Sequence, residues 1–109
     1  MSQQVEVSLA ADNRISVRGC LDVESVGACK DAGVRLFDDL DEIVIDLGAT
    51  EARGSAAVAL LIAWQREAGK MGKPLLFRNA PEELLSIAQA CGVRDIVPFE
   101  DADRAPGRE

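Results

Sequence analysis

Histidine is absent from the 109 residues. Its absence removes the commonest general base and the commonest metal ligand, so most acid–base and zinc chemistry lacks its usual parts. Positive charge is scarce as well: 12 Lys and Arg stand against 19 Asp and Glu, a formal charge of −7. With a pI near 4.5, the chain lacks the basic face that would offset phosphate, which excludes nucleic acid as a partner. The same deficit disfavours electrostatic docking on an anionic membrane. Long hydrophobic runs are missing too. The longest mainly apolar stretch, Ala56 to Trp64, is far too short to span a bilayer, so no membrane insertion is expected. The three cysteines, Cys20, Cys29 and Cys91, are odd in number and form no C-x-x-C pair. They therefore fit neither a disulfide framework nor a zinc site, and buried free thiols are the expectation. The opening Met1-Ser2-Gln3-Gln4-Val5-Glu6 lacks the basic-then-apolar pattern of a signal peptide, which points to the cytoplasm.

What is present is enough for one packed domain. Hydrophobic residues make up 48%, and a chain this long buries roughly two-thirds of its unfolded surface, so wholesale disorder is excluded. Val5, Val7 and Leu9 alternate with polar residues, and Ile15-Ser16-Val17 resumes the alternation after the turn chemistry of Asp12-Asn13. These runs predict a hairpin of two strands, the second ending at Gly19. Asp22 stands where an N-cap belongs, ahead of Val23, Val26, Cys29 and Leu36 at helical spacing. Gly27 and Gly33 weaken that helix unless they serve close packing on a sheet. The acidic segment Asp38-Asp39-Leu40-Asp41-Glu42 reads as a solvated loop.

Ile43 to Leu47 predicts a strand covered on both faces, followed by a connection from Gly48 to Gly54. Ser55 is placed to cap a helix from Ala56 to about Lys70, with Val58, Leu61, Ile62 and Ala68 as its apolar stripe. Leu60 and Trp64 widen the stripe, so something beyond a sheet covers it. Leu75-Leu76-Phe77 predicts a short strand, and Pro81 opens a helix with Leu84, Leu85, Ala88 and Cys91 inward. Ile96-Val97 predicts a last strand. Residues 1–99 make one domain in this reading, and 100–109 a polar, disordered tail. Strands alternating with helices imply an α/β fold with parallel strands.

Catalytic readings fail for lack of parts. Gly48 to Gly54 lies between a strand and a helix, yet G-x-x-x-x-G-K-[ST] and G-x-G-x-x-G are both absent. Ser55 sits at a strand-to-helix turn, but G-x-S-x-G demands Gly where Ala57 stands, and no histidine exists to take its proton. The carboxylates Asp38, Asp39, Asp41 and Glu42 lack the ordered spacing of a calcium loop. Neither metal nor cofactor is expected, and the chain reads as non-catalytic. A surface around Ser55 is left: Arg53 and Gly54 before it, Ala56 and Ala57 after it. These small residues present a low helix N-terminus suited to a partner's backbone, or to a phosphoryl group on Ser55 beside Arg53.

Gly19-Cys20-Leu21-Asp22, Ile43-Val44-Ile45-Asp46-Leu47 and Gly54-Ser55-Ala56-Ala57-Val58-Ala59-Leu60-Leu61 resemble the three marks of the STAS domain, named for sulfate transporters and anti-sigma factor antagonists. The resemblance runs from about residue 5 to 99 and implies a mixed β-sheet with helices packed mainly on one side. Ser55-Ala56-Ala57-Val58-Ala59-Leu60-Leu61, Trp64-Gln65-Arg66-Glu67-Ala68 and Asn79-Ala80-Pro81 bring it closest to the MlaB-like branch. That branch supplies a small cytoplasmic subunit of the Mla phospholipid-transport ABC complex, in contact with the ATPase and peripheral to the inner membrane. The resemblance implies that Arg53, Gly54, Ser55, Ala56 and Ala57 contact such an ATPase. In anti-sigma factor antagonists the residue matching Ser55 is phosphorylated by a partner kinase. Here the family's Asp before the hydroxyl residue is Gly54, and its Gly two positions after is Ala57. Losing the Asp removes part of what a kinase sees, so the transporter subunit is favoured over the antagonist. A stressosome-type scaffold or an orphan STAS module stays open.

Overall fold

The structure, a computed structural model, describes residues 5–100; of the expected 100–109 tail, 101–109 lies outside them. Glu100 is held in place, its N–H donating to the Phe77 carbonyl and its carboxylate pairing with Arg78 at 2.7 Å. Strands β1 (Glu6–Leu9), β2 (Ile15–Leu21), β3 (Ile43–Ala52) and β4 (Leu75–Arg78) alternate with helices α1 (Val26–Phe37), α2 (Ala56–Lys70) and α3 (Glu82–Ala90) as the chain proceeds. The sheet order is β1-β2-β3-β4. The β1–β2 hairpin is antiparallel, whereas β2–β3 and β3–β4 are parallel, so the sheet is mixed, as expected. Ile15, Val17, Ile43, Ile45, Leu47 and Phe77 turn to one face and join Leu61, Trp64 and Leu84 of the helices in one buried cluster. The other face carries Ser16, Arg18, Asp46 and Arg78, whose side chains alternate with the buried ones at the strand period.

Both central strands outrun their expected ends. β2 does not stop at Gly19 but continues through it, with Gly19 opposite Thr50 and Leu21 opposite Ala52. Glycine accepts φ 122° there, a bend that lets both Cys20 and Leu21 turn inward. β3 absorbs most of the expected Gly48–Gly54 connection. Ser16 pairs with Asp46, but Arg18 pairs with Ala49, so β3 holds one more residue than β2 over that stretch, a bulge. The Asp46 carboxylate accepts the Gly48 N–H at 2.8 Å, giving the displaced amide a partner. After the bulge the buried positions switch from odd to even numbers, to Thr50 and Ala52.

α1 starts later than expected. Asp22 nevertheless makes the bonds expected of a cap. Its Oδ1 accepts the N–H groups of Glu24 and Ser25, both at 3.0 Å, and its carbonyl accepts from Val26 at 3.1 Å, which fixes a turn ahead of the regular helix. Val23 consequently lies in that turn rather than on the helix's inner face. Gly33 does serve close packing, against Trp64 of α2 rather than on the sheet. Trp64 is fully buried, donates from Nε1 to the Lys30 carbonyl at 3.1 Å, and stacks near Phe77 at 6.4 Å between centroids. α2 is thus covered by α1 as well as by the sheet.

Three smaller expectations are corrected. Leu40 is buried within the acidic loop. Cys91 is exposed, because α3 ends at Ala90 and Gly92 turns the chain with φ 78°. Val93 then takes over the packing against the core. Ile96-Val97 forms no strand: Val97 closes a helical turn on Val93. Sheet pairing appears two residues later, where Phe99 bridges Phe77.

Candidate functional site

β2 and β3 run parallel, so the loops that follow them share one pole of the sheet. The loops are tied together: the Arg53 N–H donates to the Leu21 carbonyl at 2.9 Å. From this pole α2 departs. Ser55 occupies the N-cap place with φ −73° and ψ −9°, already in the helical region. A capping serine is normally extended, which lets its hydroxyl reach the amide two or three residues on. The Ser55 hydroxyl makes no such bond. The expected position is correct and the expected bond is missing, leaving an exposed hydroxyl.

Of the five expected contact residues, Arg53, Gly54 and Ser55 are exposed and Ala56 is half-buried. Ala57 is fully buried; the helix turns it inward beside Val58 and Leu61, so its side chain meets the core and not a partner. Gly54 has φ 72° with nothing within 4 Å of where a Cβ would lie. Its backbone, not crowding, calls for glycine. Arg53 is 3.6 Å from Glu51, with both side chains more than three-fifths exposed; a pair so exposed adds little stability. Further along α2, Ala59 and Arg66 are exposed and Ile62 is half-buried. With Ser55 they stand four, three and four residues apart, one stripe along the helix.

One neighbour escaped the sequence reading. Val23, in the turn after β2, is 80% exposed at the same pole. Its spacing to Val26 and Cys29 mimics a helix face, and only the Asp22 turn reveals otherwise.

Of the reactive groups, Cys20 alone lies at this pole, its buried thiol 3.9 Å from Asp22 Oδ2. Among the described residues, no group of three or more Cys, Asp or Glu is arranged to hold a metal ion. Asp39, Asp41 and Glu42 line an open groove of about 630 Å³ with Asp12, Arg14 and Arg78, at the opposite end of β2 and β3. Its two arginines are engaged, Arg14 with Asp12 and Asp46, and Arg78 with Glu100. Cys20 and Cys29 are buried, and burial pushes the Cys29 thiol up to about 12, far from a ready nucleophile.

The family described as Mlab, STAS domain, matches residues 6–98. The chain belongs to this family. Solved STAS structures share its fold. The anti-sigma factor antagonist SpoIIAA in its unphosphorylated form aligns with a TM-score of 0.65 at 14% identity, covering 94% of this chain and 97% of that one. An anti-sigma factor antagonist STAS protein from Planctomyces limnophilus gives 0.64 at 15% identity, covering 92% and 91%. The antisigma-factor antagonist STAS domain from Rhodobacter sphaeroides gives 0.57 at 24% identity, covering 73% and 92%. No curated protein matches the chain. Among the described residues, no helix of this STAS domain is long and apolar enough to cross a membrane.

Proposed function

We propose that this STAS domain is a non-catalytic, cytoplasmic subunit of an Mla-type phospholipid-transport ABC complex, and that it binds and regulates the ATPase through the N-terminal end of α2. The observation that carries the proposal is the uncapped Ser55 hydroxyl, exposed between Gly54 and the half-buried Ala56. A helix end of this shape lets another backbone approach closely and offers one hydroxyl and free N–H groups to hydrogen-bond it. Arg53 and Gly54 complete the contact, and Ala57 supports it from beneath. Membership of the MlaB family supports the transporter over other STAS settings. The missing acidic residue at Gly54 favours a docking surface that needs shape alone.

The test is co-purification of the tagged chain from its own cells, followed by ATPase assays with and without it. Recovery of an ABC ATPase whose rate changes on adding the chain is the expected result. The second reading is an anti-sigma factor antagonist switched by phosphorylation of Ser55. It draws on the same exposed hydroxyl and on the fold shared with SpoIIAA. Intact-mass measurement separates the two: a largely phosphorylated Ser55, with a kinase as the recovered partner, replaces the transporter reading.

A further inference from the structure

Val23, Leu9 and Ile96 are the large apolar side chains left exposed among the described residues, at 80%, 41% and 63%. Leu9 ends β1 beside the hairpin turn, and Ile96 lies beyond α3, where its carbonyl accepts from Gln65 of α2. Val23 alone shares the pole with Ser55. Its turn is held on every side. Asp22 accepts from Glu24 and Ser25, while the Ser25 hydroxyl accepts the Asp22 N–H at 3.0 Å and donates to the Cys20 carbonyl at 2.9 Å. These bonds use backbone and the polar neighbours, so the turn asks nothing of the side chain at position 23. The result is a rigid apolar knob, whose docking costs little ordering entropy.

The charge around the knob is mainly negative. Glu24 and Glu51 are exposed and Asp22 is half-buried, against Arg53 alone, which already lies beside Glu51. Arg53 taken by itself suggests an acidic partner surface; the pole as a whole is acidic and complements a basic one.

We propose that the docking face extends from Ser55 across the Asp22–Ser25 turn, with Val23 as its apolar anchor, and that the partner surface offers an apolar socket rimmed by Lys or Arg. This rests on the ATPase-docking reading above and names the chemistry of the face the ATPase presents. The knob fills the socket, and Glu24 and Glu51 meet the rim. Anchors of this kind carry much of an interface's energy while the surrounding contacts exclude water.

The experiment uses the purified ATPase subunit of the transporter as the probe, titrated with the full chain and its variants at two salt concentrations. Val23→Asp weakens binding by about tenfold or more, the size of a modest hot spot. Glu24→Lys weakens it several-fold and flattens its salt dependence. Ile96→Asp, a change at another exposed apolar residue away from the pole, leaves it unchanged. Thermal melts confirm that each variant is folded. Wild-type affinity in Val23→Asp, with binding lost in Ser55→Arg, overturns the extension and leaves the docking reading standing. Tighter binding by Glu24→Lys overturns the basic rim. A wild-type chain that does not bind the ATPase overturns both proposals together.

Discussion

Gly27 and Gly33 lie on the same helix, six residues apart, and the same substitution at each has opposite consequences. A Cβ on Gly33 would lie 2.7 Å from Trp64 Nε1 and 2.8 Å from Cε2 and Cζ2, about 1 Å inside ordinary contact. Trp64 has no room to retreat: it is fully buried, bonded to the Lys30 carbonyl and packed near Phe77. Overpacking of this kind costs about 1–3 kcal/mol. If the indole shifts instead, its hydrogen bond, worth about 1 kcal/mol, is lost. Against this, alanine gains up to about 1 kcal/mol of helix propensity. The net for Gly33→Ala is a loss of about 1–2 kcal/mol, or about 5–15 °C in Tm for a domain of this size. At Gly27 nothing lies within 4 Å of the added Cβ and the residue is exposed, so Gly27→Ala keeps its propensity gain and raises Tm by a few degrees. Urea and thermal unfolding of the three proteins decide it. A Gly33→Ala variant at least as stable as wild type refutes the account of how α1 and α2 meet.

Ser55→Ala changes stability by less than about 0.5 kcal/mol, since no capping bond exists to lose; a drop near 1 kcal/mol in urea titration shows that the hydroxyl caps after all. A thiol reagent at neutral pH modifies Cys91 quickly in the native protein and reaches Cys20 and Cys29 only after denaturation. Rapid native modification of more than one thiol contradicts the packing beneath α1. The Cys29 thiol, raised from 9.0 to about 12, is held protonated in the folded chain. Its contribution is therefore complete below pH 9 and is lost as the pH rises toward 12. Cys29→Ala loses less stability than wild type between pH 8 and 10.5, and parallel losses in the two proteins count against the burial argument.

The order of elements was legible because each strand and helix carries its own local signal: the short apolar run of Ile43 to Leu47 and the stripe of Val58, Leu61 and Ala68 need no tertiary knowledge. Ser55 at a helix start was legible for the same reason. What escaped depends on partners distant in sequence. Gly48 looks like a strand end until the Ser16–Asp46 and Arg18–Ala49 pairs reveal a bulge. Gly33 looks like a defect until Trp64 is placed against it, and Cys91 follows the inner face of α3 until Gly92 turns the chain away. Ala57 and Val23 bear on function most directly. Ala57 passes for a surface residue and Val23 for a buried one, and the helix phase and the Asp22 turn reverse both.

The central claim is that the N-terminal end of α2 docks on an ATPase. Calorimetric titration of the purified ATPase subunit with wild type and with Ser55→Arg tests it most directly. Position 55 is exposed with no bond to lose, so the variant melts as wild type does. The account predicts saturable binding by wild type and a loss of about tenfold or more in affinity for Ser55→Arg. Equal affinities, with equal melting temperatures, place the docking surface elsewhere.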